Sequence, residues 1–275
     1  MKPFLKTKDF SVSNETFQLL YDEELDMLVT RPQPENLEKY YQSDSYISHN
    51  DSNRSLIDKL YQAVKKFSLW RKTLLINSYA EGNKTLLDVG AGTGDFLIAA
   101  EKRKWSVRGI EPSQDARLRS REKKMELLPN MESLPGGKFQ IITLWHVLEH
   151  LPDLENQILK LRGHLEDEGA LVIAVPNFKS YDAEYYKEFW AAYDVPRHLW
   201  HFSNEGIEKL FAKYDMKVVK TKPMWFDAFY VSLLSEKYKT GKQQFLKGFF
   251  VGLVSNFIGA LTTEYSSIIY IIKKI

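Results

Sequence analysis

The chain has 275 residues, 44% apolar and 27% charged, with a formal net charge of +2 at pH 7. That suits one large globular domain, or one domain with decorations, and gives no argument for a nucleic-acid partner, which needs a concentrated basic face. Cysteine is absent, which excludes disulfides, cysteine nucleophiles and thiolate metal sites.

The N-terminus, Met1-Lys2-Pro3-Phe4-Leu5-Lys6, has no long apolar run. No secretory signal is read there, and a cytoplasmic location is expected. Residues 16–21 and 25–30 alternate apolar and polar side chains around Asp22-Glu23-Glu24, which predicts a small β-hairpin, with a short helix as the alternative. A short helix is expected over 35–41. Leu56, Ile57, Leu60, Tyr61, Val64 and Phe67 recur at three- and four-residue spacing, and Leu74, Leu75 and Ile76 extend the run. This predicts an amphipathic helix with a break near Ser68.

Asp88-Val89-Gly90-Ala91-Gly92-Thr93-Gly94 lies between a short apolar strand and a helical pattern over 95–103. Glycine lets such a loop turn sharply and lets a ligand approach the main chain. The spacing is D-x-G-x-G-x-G. A dinucleotide site reads G-x-G-x-x-G and a P-loop needs G-K-S or G-K-T. A nicotinamide oxidoreductase on the same kind of sheet is the alternative enzyme, and this spacing counts against it.

Strands are predicted over Thr85–Val89, Ser106–Ile110, 139–144 and 170–175, with helices over 95–103, 114–124 and Leu154–His164. A third strand is poorly marked and falls near 125–128. The alternation implies an α/β fold, a parallel sheet with helices on both faces. Ligands then bind outside the carboxyl ends of the strands, where the strand order reverses. Ser203 caps a helix expected to reach about Tyr214, with Ile207, Leu210 and Phe211 inward. Residues 217–221 and 267–272 read as the last two strands.

Residues 88–94 resemble the first motif of class I S-adenosylmethionine (SAM) dependent methyltransferases. Gly109-Ile110-Glu111-Pro112-Ser113 resembles the end of that family's second strand. The stretch from Phe139 through Trp145-His146-Val147-Leu148-Glu149-His150 to Asp153 resembles its fourth strand and following loop. These ordered matches cover residues 86–176. The resemblance implies a Rossmann-like sheet of about seven strands, with SAM as cofactor. It implies that the backbone of Gly90, Ala91, Gly92 and Gly94 runs along the methionine and ribose, and that Asp88 holds the loop or the ammonium. Glu111, followed by Pro112, is then the acceptor for the ribose hydroxyls, and 131–133 lie where the family holds adenine. Trp145 either walls the methionine end or closes the core. The division expected is an extension over 1–50, a SAM-binding core over 51–222, and an insertion with the last strand over 223–275.

Pro32, Pro34, Leu37, Tyr40, Tyr41, Tyr46, Ser48 and His49 resemble the end of a Cys-rich ribbon that precedes the core in ubiquinone-type methyltransferases. The cysteines are missing here, so any ribbon zinc is gone. What remains is either a cover for the active-site entrance or a plain structural extension. Tyr46 and His49 are candidates for contact with cofactor or substrate.

His146, Glu149 and His150 share a face if the segment is helical, and their chemistry suits a divalent ion. The reading adopted is a structural Glu149–His150 pair, and no metal is assigned. After the fifth strand come Tyr181, Tyr185, Tyr186, Phe189, Trp190 and Tyr193, then Asp194-Val195-Pro196-Arg197-His198-Leu199-Trp200-His201-Phe202-Ser203. This resembles the family group's D-x-P-R-H-x-x-x-F-S signature and suggests a substrate wall. An oxygen nucleophile must lose a proton, for which histidine is suited near neutral pH. The candidate bases, in order, are His198, His201 and His146. The alternative for Arg197-His198 is an anchor of the lid to the sheet.

Residues 245–261 are strongly apolar, with a small-residue stripe at Gly248, Gly252, Ser255 and Gly259. A helix packed on the sheet or on a homodimer partner, a surface that docks on membrane, and a true span all fit. The expected activity is transfer of a methyl group to a small acceptor that is aromatic or lipid-linked, on oxygen first, with carbon and nitrogen as the alternatives. A SAM-binding module without catalysis stays open.

Overall fold

The computed structural model describes residues 1–41, 56–80 and 82–275. Tyr46, Ser48 and His49 lie outside them. The main sheet has the strands β4 (Thr85–Val89), β5 (Ser106–Ile110), β6 (Phe139–Trp145), β7 (Leu165–Pro176), β9 (Met216–Pro223) and β10 (Ser267–Lys274), in the order β5-β4-β6-β7-β10-β9. β5, β4, β6 and β7 are parallel, and β10 runs antiparallel between β7 and β9. The weak third strand reduces to one parallel bridge, Leu128 to Ile110, at the sheet edge. Only Leu127 and Met125 of that segment are buried apolar residues, too few to hold a longer strand in register.

The parallel strands β4 and β6 are buried on both faces, as crossover helices require. Leu87 and Ile142 enter one core, and Leu86 and Ile141 the other. The helices that cover them are α1 (Leu56–Asn77), α2 (Asp95–Glu101), α3 (Gln114–Glu122), α4 (Leu154–His164) and α6 (Asn204–Ala212). Ser203 caps α6, its side chain accepting from the Gly206 N–H. α1 is continuous through Ser68. Leu75 and Ile76 are buried, while Phe67 and Leu74, which the periodicity turns inward, are exposed.

The N-terminal hairpin is part of a larger sheet. β1 (Lys2–Lys8), β2 (Thr16–Asp22) and β3 (Met27–Arg31) are joined by β8 (Trp200–His201), in the order β1-β2-β3-β8. β1 is a mostly exposed edge strand with three lysines, a pattern that protects an edge and hides it from periodicity. The expected helix over 35–41 is a 3-10 turn at Glu38–Tyr40. Because β8 comes from the segment after β7, residues 1–41 pack as one body with that segment, although a division near residue 50 separates them in sequence.

That segment is a lid. Its short helix α5 (Tyr181–Tyr186) and two following turns bury Tyr186, Trp190 and Tyr193 with Phe17, Leu19 and Leu28. The aromatic run read as a substrate wall is therefore largely a hydrophobic core between lid and N-terminal sheet. α7 (Trp225–Thr240) and α8 (Phe245–Thr262) form a helical hairpin. The glycine stripe of α8 faces α7: a Cβ on Gly252 would stand 2.9 Å from the Ala228 carbonyl oxygen, and one on Gly248 2.9 Å from Leu233 Cα. The opposite face, with Leu246, Phe250 and Phe257, is exposed. By length and composition α8 is also long enough to cross a membrane.

Candidate active site

The glycine loop leaves the carboxyl end of β4, at the centre of the parallel strands. The Gly90 and Ala91 N–H groups both donate to the Ile110 carbonyl, at 2.8 and 2.9 Å. This folds the loop back over β5. Gly90 has φ 74, and a Cβ there would meet Val147 Cγ2 at 2.3 Å; Gly92 has φ 54 and nothing within 4 Å of its Cβ position. The first glycine is thus required by packing. The second leaves open space of the kind that admits a ligand to the backbone. Gly94 precedes α2, whose N-terminal N–H groups favour negative or polar ligand groups.

Glu111 sits at the end of β5 facing this loop. Its carboxylate accepts from the Gly92 N–H and the Ser113 N–H, each at 2.8 Å. Burial pushes its carboxyl up despite those two bonds. A carboxylate has about four acceptor positions, so ribose hydroxyls can still be received. Pro112 is exposed, and its carbonyl, like that of Glu111, accepts from Arg117 Nη1. The residues that the resemblance places near adenine form a 3-10 turn at Met131–Ser133, capped by Asn130.

Asp88 is buried at the end of β4 and accepts from the Thr143 hydroxyl of β6 at 2.6 Å. Burial pushes its carboxyl up to about 7, against the Thr143 bond and the Lys72 charge, which lower it. Lys72 of α1 comes down to about 8 by burial, against the charges of Asp88 and Asp227. Its Nζ lies 4.2 Å above the Trp145 ring, and that ring packs edge-on against Phe96. Trp145 therefore closes the core with one edge and carries a cation on one face. Lys72 was not legible in the sequence, since it looks like any lysine on an amphipathic helix. A groove of about 910 Å³ opens between α1 and α2 and includes Lys65, Trp70, Asp95 and Lys123, but not Glu111 or His146.

The fold gives the three histidines proposed as bases different partners, although the His198 and His201 rings lie 6.3 Å apart. His146 directly follows β6, with φ 56. Its Nε2 lies 2.9 Å from Asp227 Oδ2 of α7 and its Nδ1 3.4 Å from Glu149 Oε1. Burial alone would lower its pKa, but the bonds to Asp227 and Glu149 and their charges raise it to about 10. It is an imidazolium at neutral pH. His201, on β8, is buried, with Nε2 3.0 Å from the Thr30 hydroxyl oxygen. That hydroxyl donates to the His198 carbonyl, so His201 Nε2 carries the proton. Burial holds its pKa well below the ordinary value, and it acts as a rivet between β3 and the lid. His198 faces Glu149 and His150. The expected Glu149–His150 pair is replaced by Glu149–His146, while His150 Nδ1 meets the Tyr41 hydroxyl and the Arg197 carbonyl oxygen.

Arg197 is the lid's anchor to the N-terminal sheet. It is 1% exposed and donates to both oxygens of Asp194, to Asp9 Oδ1, to Ser11 and to the Tyr40 carbonyl. Asp9 and Asp227 were missed by sequence reading. Asp227 had one signal, an acid in the first turn of a helix.

A parallel sheet whose central strand ends in a D-x-G-x-G-x-G loop, faced by an acid at the end of the next strand, is a nucleoside-binding Rossmann-like transferase core. A family model described as a methyltransferase domain matches residues 59–221. A curated ubiquinone biosynthesis O-methyltransferase of Histophilus somni (strain 2336) is 32% identical over 108 residues, which cover 34% of this chain and 45% of that relative. The chain thus spans less than half the length of the curated relative it matches. Among solved structures, the magnesium protoporphyrin IX methyltransferase of Synechocystis PCC 6803 with bound SAH has a TM-score of 0.56 at 14% identity, covering 86% of this chain and 97% of that one. A SAM-dependent methyltransferase from Archaeoglobus fulgidus has 0.52 at 18% identity, covering 76% and 94%. These two likenesses are of fold. The chain belongs to the class I SAM-dependent methyltransferase family, and its cofactor is SAM.

Proposed function

We propose that the protein transfers the SAM methyl group to an oxygen of a small aromatic acceptor carrying a lipid-like tail, as a cytoplasmic enzyme that meets its acceptor at a membrane surface. The observation that carries this reading is the position of α7. Asp227 in its first turn binds His146 at the end of β6, while its neighbours Trp225 and Phe226 are exposed. Ring contacts continue that face in both directions, from Phe226 to Phe67 on α1 and from Phe229 to Phe249 on α8. The methyl-transfer end of the crevice thus adjoins a broad apolar surface, as a lipophilic acceptor requires. The relative's printed activity, O-methylation in ubiquinone biosynthesis, supports the choice of oxygen.

A sulfonium is already activated, so the protein's main task is to align and desolvate the acceptor. His146, held as a cation by two carboxylates, favours the ionised form of an acceptor hydroxyl beside it. That role is electrostatic, and the hydroxyl proton passes to solvent.

The test is methyl transfer from labelled SAM to a hydroquinone bearing an isoprenoid tail, to its tail-less analogue and to an arylamine. The expected product is an O-methyl ether, with the tailed acceptor preferred. Label on nitrogen overturns the oxygen assignment, and equal use of tailed and tail-less acceptors overturns the lipid assignment.

A further inference from the structure

Three polar side chains outside the cofactor cradle meet under the lid. Glu149, His150 and His198 each offer one ligand-type atom, and these lie within 4.8 Å of one another. The two imidazole rings stand edge to face with centroids 4.5 Å apart. Their tautomers follow from the backbone. His198 Nδ1 is 2.9 Å from the Ala192 carbonyl oxygen, and His150 Nδ1 is 3.1 Å from the Arg197 carbonyl oxygen. A carbonyl has no proton to give, so His198 Nδ1 carries the hydrogen and its Nε2 keeps a lone pair; His150, whose Nδ1 also meets the Tyr41 hydroxyl at 3.0 Å, is in the same tautomer when that hydroxyl accepts. Glu149 is 1% exposed, and neither of its carboxylate oxygens has a hydrogen-bond partner among the described residues. The long contact from His146, at 3.4 Å, reaches Oε1 only. Two imidazoles and a buried carboxylate whose one partner is the long ion pair to His146 lie close together here, an arrangement that leaves polar atoms unsatisfied. A cation satisfies them.

We propose that Glu149, His150 and His198 bind one divalent transition-metal ion of the zinc type. Two imidazole nitrogens and one carboxylate form the protein donor set of open zinc sites. Imidazoles whose other N–H is tied to a carbonyl show the usual outer-shell arrangement. The set differs from the i, i+3, i+4 group at 146, 149 and 150, because Asp227 occupies His146 Nε2. Glu149 and His150 belong to the turn after β6, and His198 belongs to the lid. The ion therefore ties the lid to the sheet and keeps a fourth position for water or an oxygen ligand. The proposal does not depend on which acceptor is methylated.

The test uses the full chain stripped with chelator and dialysed to equilibrium against Zn²⁺, with Mg²⁺ in a parallel arm and Co²⁺ for visible absorption. The wild-type protein is expected to take one equivalent of Zn²⁺, to give a d–d band with Co²⁺, and to melt at a higher temperature with Zn²⁺ than without. Affinity is expected to fall at least about tenfold in E149Q and in H198Q, and to be unchanged in H164Q, which alters a half-buried histidine elsewhere. Circular dichroism of each variant separates a lost site from a lost fold, and the wild-type measurements stand without the variants. Much less than one equivalent of Zn²⁺ on the wild type, a preference for Mg²⁺, or unaltered affinity in a folded H150Q/H198Q double variant overturns the proposal.

Discussion

His146 Nε2 and Asp227 Oδ2 are 2.9 Å apart, and this contact joins the end of β6 to the first turn of α7. It fastens the apolar hairpin beside the cofactor crevice and, with Glu149, keeps His146 charged. A group whose folded pKa is raised stabilises the fold fully below its unfolded value and loses that contribution as pH rises through the folded value. For His146 that window runs from about 6.5 to about 10. In Asp227→Asn one source of the raised pKa is gone. The alkaline limb of the rate profile is expected to move down by about 1–3 pH units, with SAM affinity at pH 7 little changed. A profile identical to wild type would falsify the electrostatic role of this pair.

Asp88 and Lys72 give SAM binding its own pH dependence. Asp88 titrates near 7 and Lys72 near 8. If the carboxylate receives the cofactor's ammonium and the lysine its carboxylate, affinity rises with pH up to about 7 and falls above about 8. Calorimetry across this range is expected to show a narrow maximum, with the acid limb absent in Asp88→Asn and the alkaline limb absent in Lys72→Met. A flat profile for the wild type would mean that neither group changes its protonation on binding.

Arg197 is buried among Asp194, Asp9, Ser11 and the Tyr40 carbonyl. Removing one partner of a buried pair leaves the other charge uncompensated and costs about 3–5 kcal/mol. Arg197→Met is expected to lower the urea midpoint accordingly. Arg197→Lys is expected to recover little, because an ammonium lacks the planar fork that reaches three elements at once. A loss below about 1 kcal/mol would show that the lid holds without this anchor.

The outer face of α8 predicts lipid binding. Leu246 and Phe250 are 89% and 62% exposed, and Lys237 and Lys239 lie in the last turn of the neighbouring α7. Withdrawing each large apolar side chain from lipid costs about 1.5–3 kcal/mol. The double variant L246E/F250E is therefore expected to bind anionic phosphatidylglycerol vesicles at least about a hundredfold more weakly. SAM affinity is expected to stay unchanged, since these side chains are exposed on the face of α8 opposite the stripe that packs on α7. Equal flotation of both proteins with vesicles would dismiss the membrane face. A concentration-dependent dimer of the wild type that this variant loses would reassign the face to a second copy.

The cofactor half of the site was legible along the chain because its determinants are local. A strand, a glycine turn and a helix start sit within a dozen residues, so Thr85–Val89 and Ser106–Ile110 fall where apolar runs and turn residues put them. The Ser203 cap is local for the same reason. The acceptor side depends on contacts between distant residues. The lid aromatics are buried because β8 pairs with β3 across more than 150 residues, and no periodicity within the lid records that partner. His201 becomes a rivet through Thr30, His146 becomes a cation through Asp227, and His198 is turned toward Glu149 and His150 by the Ala192 carbonyl. A histidine's chemistry is set by what meets its two nitrogens. The chain supplied the residue types and the cofactor loop, and long-range packing decided what each histidine does.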